Sequence, residues 1–143
     1  MTILKYSLYS DGAARGNPGP AGIGVVIKKD GQTLLEASAY LGKTTNNVAE
    51  YMGLIRGLEE ALILGIKEID CYVDSELLAK QLNGEYKVKN EGLIPLFHHL
   101  KTLIRKFKHF RISHTAREEN KHADKLANRG IDEYALTESP LFK

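Results

Sequence analysis

Up to residue 44 the apolar residues of this chain follow a strand-like pattern, and beyond it helical stripes alternate with short strand-like runs. That change of period restricts the fold to a mixed α/β sheet. Residues 3–11 (ILKYSLYSD), 23–29 (IGVVIKK) and 32–41 (QTLLEASAYL) read as strands. Asp30-Gly31, between the second and third, is a two-residue hairpin turn. The stretch GAARGNPGPAGIG after Asp11 is dense in glycine and proline and reads as a loop. An antiparallel meander is therefore expected first.

Thr44, Thr45, Asn46 and Asn47 supply turn and capping groups for a helix from about residue 47 to 64. Leu54, Leu58 and Ala61 form its apolar stripe, with Glu50 one turn before Leu54. Gly53 and Gly57 weaken the helix, and their small size points to close approach of helix and sheet. Gly65 closes it. Residues 67–74 read as a fourth strand with Ile69, Cys71 and Val73 on one face. Ser75 caps a short helix to about residue 82, and Asn83-Gly84 breaks the chain. A helix over 91–107, a fifth strand over 109–115 and a helix over 121–130, capped by Asn120 and ended by Gly130, complete the pattern. A helical crossover from the first strand to the fourth makes those two parallel. The expected architecture is a five-stranded mixed sheet, three antiparallel strands then two parallel, with helices packed on it.

A chain of 143 residues suits one domain, here assigned to residues 1–130 with a C-terminal tail at 131–143. No apolar run approaches the roughly 20 residues that cross a bilayer, and MTILKYSLYSDG lacks the apolar core of a secretory signal. The single cysteine, Cys71, sits at a buried strand position and fits a reducing compartment, so a cytoplasmic protein without a membrane partner is expected. The net charge of +2 is unevenly spread: residues 80–129 carry 12 basic and 5 acidic groups, against 7 and 10 in residues 1–79. A basic half beside an acidic centre suits a polyanion that also meets a bound cation.

Asp11, Glu50, Asp74 and Asp124 lie at strand ends or in the first turns of helices. Carboxylates gathered from distant segments repel one another and raise each other's pKa. A divalent cation relieves that repulsion. Magnesium takes oxygen ligands and keeps several waters, so a few carboxylates suffice to hold it. Manganese shares this preference. Metal-dependent chemistry on a phosphate ester is the expectation.

Four blocks carry a resemblance: SDGAARGNPGPAGIG, TTNNVAEYMGLIRGLEEAL, YVDSELLAKQLNGEYKVKN and HTAREENKHADKLAN. In order and approximate spacing they resemble the motif blocks of the type 1 ribonuclease H family, over about residues 3–130. The resemblance implies the ribonuclease H-like fold. It also implies endonucleolytic hydrolysis of the RNA strand of an RNA–DNA hybrid, leaving 5′-phosphate and 3′-hydroxyl ends. Asp11, Glu50, Asp74 and Asp124 are then catalytic and metal-binding, holding two magnesium ions when substrate is bound. His114 takes the place of a proton shuttle. Gly12, Asn17, Thr45, Asn46, Asn47 and Glu76 fall at substrate-contacting positions. Glu76 stands where some relatives have glutamine, and a carboxylate accepts from a 2′-hydroxyl but cannot donate. His98, His99, His109 and His122 show no zinc-like spacing and suit surface or helix-face roles.

Two departures from the family pattern stand out. The segment GEYKVKNEG is short and only partly basic, so the basic helical handle of some relatives is expected to be missing. A separate N-terminal hybrid-binding domain is also not expected, since Asp11 comes so early. Lys87, Lys89, Lys101, Arg105 and Lys108 offer partial compensation through phosphate contacts. A monomer acting on RNA–DNA hybrid is the leading expectation. The alternatives are a nuclease of the same fold with broader duplex specificity, including double-stranded RNA, a domain detached from a reverse transcriptase, and a non-catalytic nucleic-acid-binding module.

Overall fold

The computed structural model describes residues 5–137. Five strands form one sheet: β1 (Tyr6–Ala14), β2 (Gly19–Lys29), β3 (Gln32–Thr44), β4 (Glu68–Val73) and β5 (His109–His114). Their spatial order is β3-β2-β1-β4-β5. The first three pair antiparallel, and β1 with β4 and β4 with β5 pair parallel. This is the mixed sheet that the sequence predicts. Asp30 and Gly31 turn the β2–β3 hairpin with φ of 50° and 84°, which suits the twist of the flanking strands.

The four helices are α1 (Asn46–Ile63), α2 (Glu76–Leu82), α3 (Ile94–Ile104) and α4 (Lys121–Thr137). Thr45 caps α1 by accepting the Val48 N–H, and Ser75 caps α2 by accepting the Leu78 N–H. Leu54, Leu58 and Ala61 are fully buried, packed with Leu8, Val25, Ile27, Ile69, Cys71 and Val73 from the sheet. Leu100 and Leu103 of α3 close the same core. The Tyr51 hydroxyl donates to Gln81 Oε1, tying α1 to α2 inside the protein. The segment between α2 and α3 is turns, bends and irregular chain, with no helical handle. No helix among the described residues is long and apolar enough to cross a membrane.

Three expectations are corrected. The glycine-rich stretch after Asp11 is mostly strand: β1 runs on to Ala14 and pairs there with Ala21. Gly16 turns the short loop at φ 98°, whereas Gly12, Gly22 and Gly24 admit helices. A Cβ on Gly12 would lie 2.1 Å from the Ala49 carbonyl carbon of α1, and one on Gly24 would lie 2.0 Å from the Ala123 oxygen of α4. Gly12 is paired with Ile23, and Gly24 follows Ile23 along β2. Side chains alternate along a strand, so α1 and α4 cover opposite faces of the sheet. Secondly, Gly130 does not end α4. It sits inside the helix because its missing side chain lets α4 pass the Ala39 backbone, where a Cβ would come within 2.5 Å of the carbonyl oxygen. Residues 131–137 of the expected tail are therefore helical, with Ile131 buried and Tyr134 stacked on Tyr40; residues 138–143, with Leu141 and Phe142, lie outside the described residues. Thirdly, the helix expected over 91–107 is α3, Ile94–Ile104, because Asn90 folds residues 90–93 into a turn by accepting the Gly92 N–H.

Candidate metal centre

β1 and β4 lie parallel with Tyr9 beside Tyr72. Two residues further along each chain come Asp11 and Asp74. β4 stops at Val73, so Asp74 leaves the sheet in the turn that enters α2. Glu50 stands in the second turn of α1. Gly53 rests on the Asp11 backbone, where a Cβ would lie 2.6 Å from the carbonyl oxygen. That contact lowers α1 onto β1 and brings Glu50 to Asp11. The result is a cluster in which ligand oxygens of Asp11, Glu50 and Asp74 all lie within 4.8 Å of one another.

Asp124 reaches the same spot from the opposite face. It lies outside the 4.8 Å group but is near enough to Asp11 to help raise that carboxyl's pKa. Its own position is set by Asn128, whose side-chain amide donates to the Asp124 carbonyl at 3.1 Å and to Oδ1 at 3.4 Å. The sequence assigns four acids to one site. The structure gathers three of them tightly and sets the fourth beside Asp11.

Asp11 and Glu50 are buried, with 4% and 8% of their surfaces exposed. Burial, then the charges of Glu50, Asp74 and Asp124, pushes the Asp11 carboxyl up to about 10. Burial and Asp74 push Glu50 up to about 8, against opposing hydrogen bonds from Asn46 and Asp11 and the charge of Arg117. Both folded values lie above the ordinary 3.8 and 4.5. The folded metal-free protein therefore keeps protons that the unfolded chain releases. The stability this contributes is complete below pH 4 and is lost as pH rises through about 8 and then about 10. In EDTA, the melting temperature is expected to fall between pH 6 and pH 9, with a shallower fall in Asp11→Asn. A wild-type profile that is flat or rising over that interval would contradict this account.

The residues fit a hard divalent cation. Glu50 Oε2 is buried and has no hydrogen-bond partner among the described residues. Leaving such an oxygen unmatched is unfavourable by about 1–3 kcal/mol or more, and a cation ligated by oxygen removes the penalty. The donor set, carboxylates only, suits magnesium or manganese.

Glu50 and Asp74 open onto a pocket of about 500 Å³, which Asn46, His114 and Arg117 also line. His114 is the last residue of β5 and is exposed. Asn17 accepts the Asn46 N–H at 3.0 Å, joining the β1–β2 loop to the start of α1. Thr45 is the α1 cap, and Asn47 is exposed in the first turn. Glu76 pairs with Lys80 at 2.7 Å, which holds its carboxyl below the usual range. Gly12 is buried beneath Ala49 rather than presented to the pocket, and its N–H donates to Asp11 Oδ1 at 3.0 Å. Asn120 does not cap α4; it is buried and donates to the Ser10 carbonyl at 2.9 Å. Among the remaining histidines, His109 pairs with Asp70 and His122 with Glu36, both at the surface.

Sequence reasoning missed two polar groups. Arg117 places Nε 3.9 Å from Asp74 Oδ2 while staying 84% exposed. Asn128, which holds Asp124, could have been found by its spacing of one helical turn after that acid.

The family model described as "Reverse transcriptase-like" matches residues 9–130. The chain is 41% identical over 131 residues to the bifunctional protein Rv2228c of Mycobacterium tuberculosis, covering 90% of this chain and 36% of that one. It thus spans little more than a third of the length of that relative. It is 34% identical to the ribonuclease H of Legionella pneumophila, covering 91% of this chain and 99% of that one. Among solved structures it superposes on LC11-RNase H1, crystallised in complex with an RNA/DNA hybrid, with a TM-score of 0.88. That match has 46% identity and covers 92% of this chain and 99% of the other.

Proposed function

The chain belongs to the ribonuclease H family, and on that premise we propose that it hydrolyses the RNA strand of RNA–DNA hybrids, leaving 5′-phosphate and 3′-hydroxyl ends. The observation that carries the reading is the cluster of Asp11, Glu50 and Asp74 within 4.8 Å, with Asp124 beside it. A binding module gains nothing from acids aimed at phosphate. When bound, a pair of divalent ions activates water and stabilises the departing oxygen of an in-line displacement. Asp11, Glu50, Asp74 and Asp124 would hold that pair.

The chain's other groups serve the substrate. His114 lines the pocket and is exposed, which supports its reading as a proton shuttle that assists product release. Arg117, which also lines the pocket, offers a cation to the scissile phosphate. Asn46 and Asn47 open α1, and their side-chain amides are the groups we assign to the groove of a bound duplex. Asn17 spends its carbonyl on Asn46 and keeps its NH2 for sugar or base contacts.

The test compares RNA–DNA, RNA–RNA and DNA–DNA duplexes with magnesium and with manganese. Cleavage confined to the RNA of the hybrid is the expected result. Comparable cutting of RNA–RNA would replace it with the broader specificity, and no metal-dependent cutting of any duplex would leave a binding module.

A further inference from the structure

Glu50 and Asp124 come from helices on opposite faces of the sheet, so neither helix can set the other's position directly. The loop between β1 and β2 reaches both. On one side Asn17 Oδ1 accepts the Asn46 N–H at the start of α1. On the other, Arg15 Nη2 donates to Asn128 Oδ1 at 3.2 Å, and Arg15 Nη1 pairs with Asp132 at 2.7 Å. Asn128 in turn donates to Asp124. A four-residue loop, Arg15 to Pro18, thus runs from the helix of one metal carboxylate to the side chain of another.

From this geometry we infer that Arg15 and Asn128 are positioning residues: the β1–β2 loop is a clasp that sets Asp124 against Asp11 and registers it with Glu50. The inference rests on the metal-centre reading above. Stability is not the clasp's main product. Arg15 and Asp132 are 44% and 62% exposed, and such pairs contribute about 0–1 kcal/mol. What the clasp supplies is direction. Asn128 has one carbonyl and one NH2; with Arg15 on the carbonyl, its amide group is turned so that the NH2 meets Asp124. Removing Arg15 frees that amide to rotate. Asp124 is the acid that the tight cluster omits, so it depends most on an outside support. The clasp also joins substrate to metal, because Asn17, two residues after Arg15, lies where the hybrid is expected to touch.

Outer partners of metal ligands commonly change affinity or activity by about 10–100-fold when removed. Calcium binding to the protein saturated with a cleavage-resistant hybrid, followed by calorimetry, is the direct readout. Arg15→Ala and Asn128→Ala are each expected to weaken calcium binding about tenfold, with metal-free hybrid affinity and melting temperature close to wild type. The double variant should be little worse than either single one, since both break the same chain of bonds. Arg15→Lys separates position from charge. It keeps a cation near Asp132 but cannot hold the planar fork against Asn128, so it should fail to restore calcium affinity. The half-saturating magnesium concentration for cleavage should rise in parallel at unchanged KM for hybrid. Full rescue by Arg15→Lys, calcium affinity within twofold of wild type in both alanine variants, or a matching loss of metal-free hybrid binding would each overturn the clasp. Absence of calcium binding by the wild-type complex would instead overturn the metal-centre reading itself.

Discussion

Asp74→Asn is expected to remove magnesium-dependent cleavage while making the metal-free protein more stable. Asp74 has two effects that pull in opposite directions. Its oxygen lies within 4.8 Å of ligand oxygens from Asp11 and Glu50, and its charge raises the pKa of both. Unit charges about 5 Å apart at an effective dielectric near 20 repel by roughly 3 kcal/mol. Partial protonation of Asp11 and Glu50 already relieves some of that, so losing the third charge should stabilise the metal-free fold by about 1–2 kcal/mol. The same substitution removes a ligand oxygen and its charge from the cation site. A metal-borne stabilisation of several kcal/mol is thereby lost, equivalent to a rate loss of about a thousandfold or more. Chemical denaturation in EDTA and single-turnover cleavage of a hybrid with saturating magnesium measure the two effects separately. A variant that cleaves at near wild-type rate would remove Asp74 from the site. One that is inactive but clearly less stable in EDTA would show that Asp74 supports the fold rather than straining it.

How much of this was legible in the sequence depended on the range of each interaction. The Asp30-Gly31 hairpin was readable because a two-residue turn is dictated by its own φ angles. Thr45 and Ser75 were readable as caps because each bonds an N–H three residues on. The acids were readable because a motif fixes their spacing along single elements. The glycines misled because the same residue marks a turn or a close contact. Gly12, Gly24 and Gly130 all admit a neighbouring backbone, and only the fold shows whose. Asn120 likewise looked like a cap and is instead a buried amide on the Ser10 carbonyl, a partner 110 residues away. Arg15 and Asn128 are 113 residues apart, and nothing in either local sequence announces the other. Arg117 sat in a charged run that reads equally well as solvated surface.

Gly12→Ala is expected to be among the most damaging single methyl additions near this site. The new carbon would lie 2.1 Å from the Ala49 carbonyl carbon and oxygen and 2.4 Å from the Glu50 nitrogen. Ordinary contact needs more than an ångström of additional room, and every atom in the way is main chain. No rotamer change supplies that room; α1 must lift from β1 along its most tightly packed stretch, where Ala49, Leu54 and Leu58 are fully buried. Overpacking with flexible neighbours costs about 1–3 kcal/mol, and a rigid backbone on both sides places this case at about 3 kcal/mol or more. For a domain of this size that is a fall in Tm of roughly 10 °C. Gly31→Ala is the control. Nothing lies within 4 Å of its added carbon, so its penalty is only that of holding a side chain at positive φ, about 1 kcal/mol. The lifted helix carries Glu50, so Gly12→Ala should also raise the magnesium requirement at temperatures where it stays folded, whereas Gly31→Ala should not. A Gly12→Ala protein that melts with the wild type would mean that helix and sheet are not in contact there. Glu50 would then lack the close approach that brings it to Asp11.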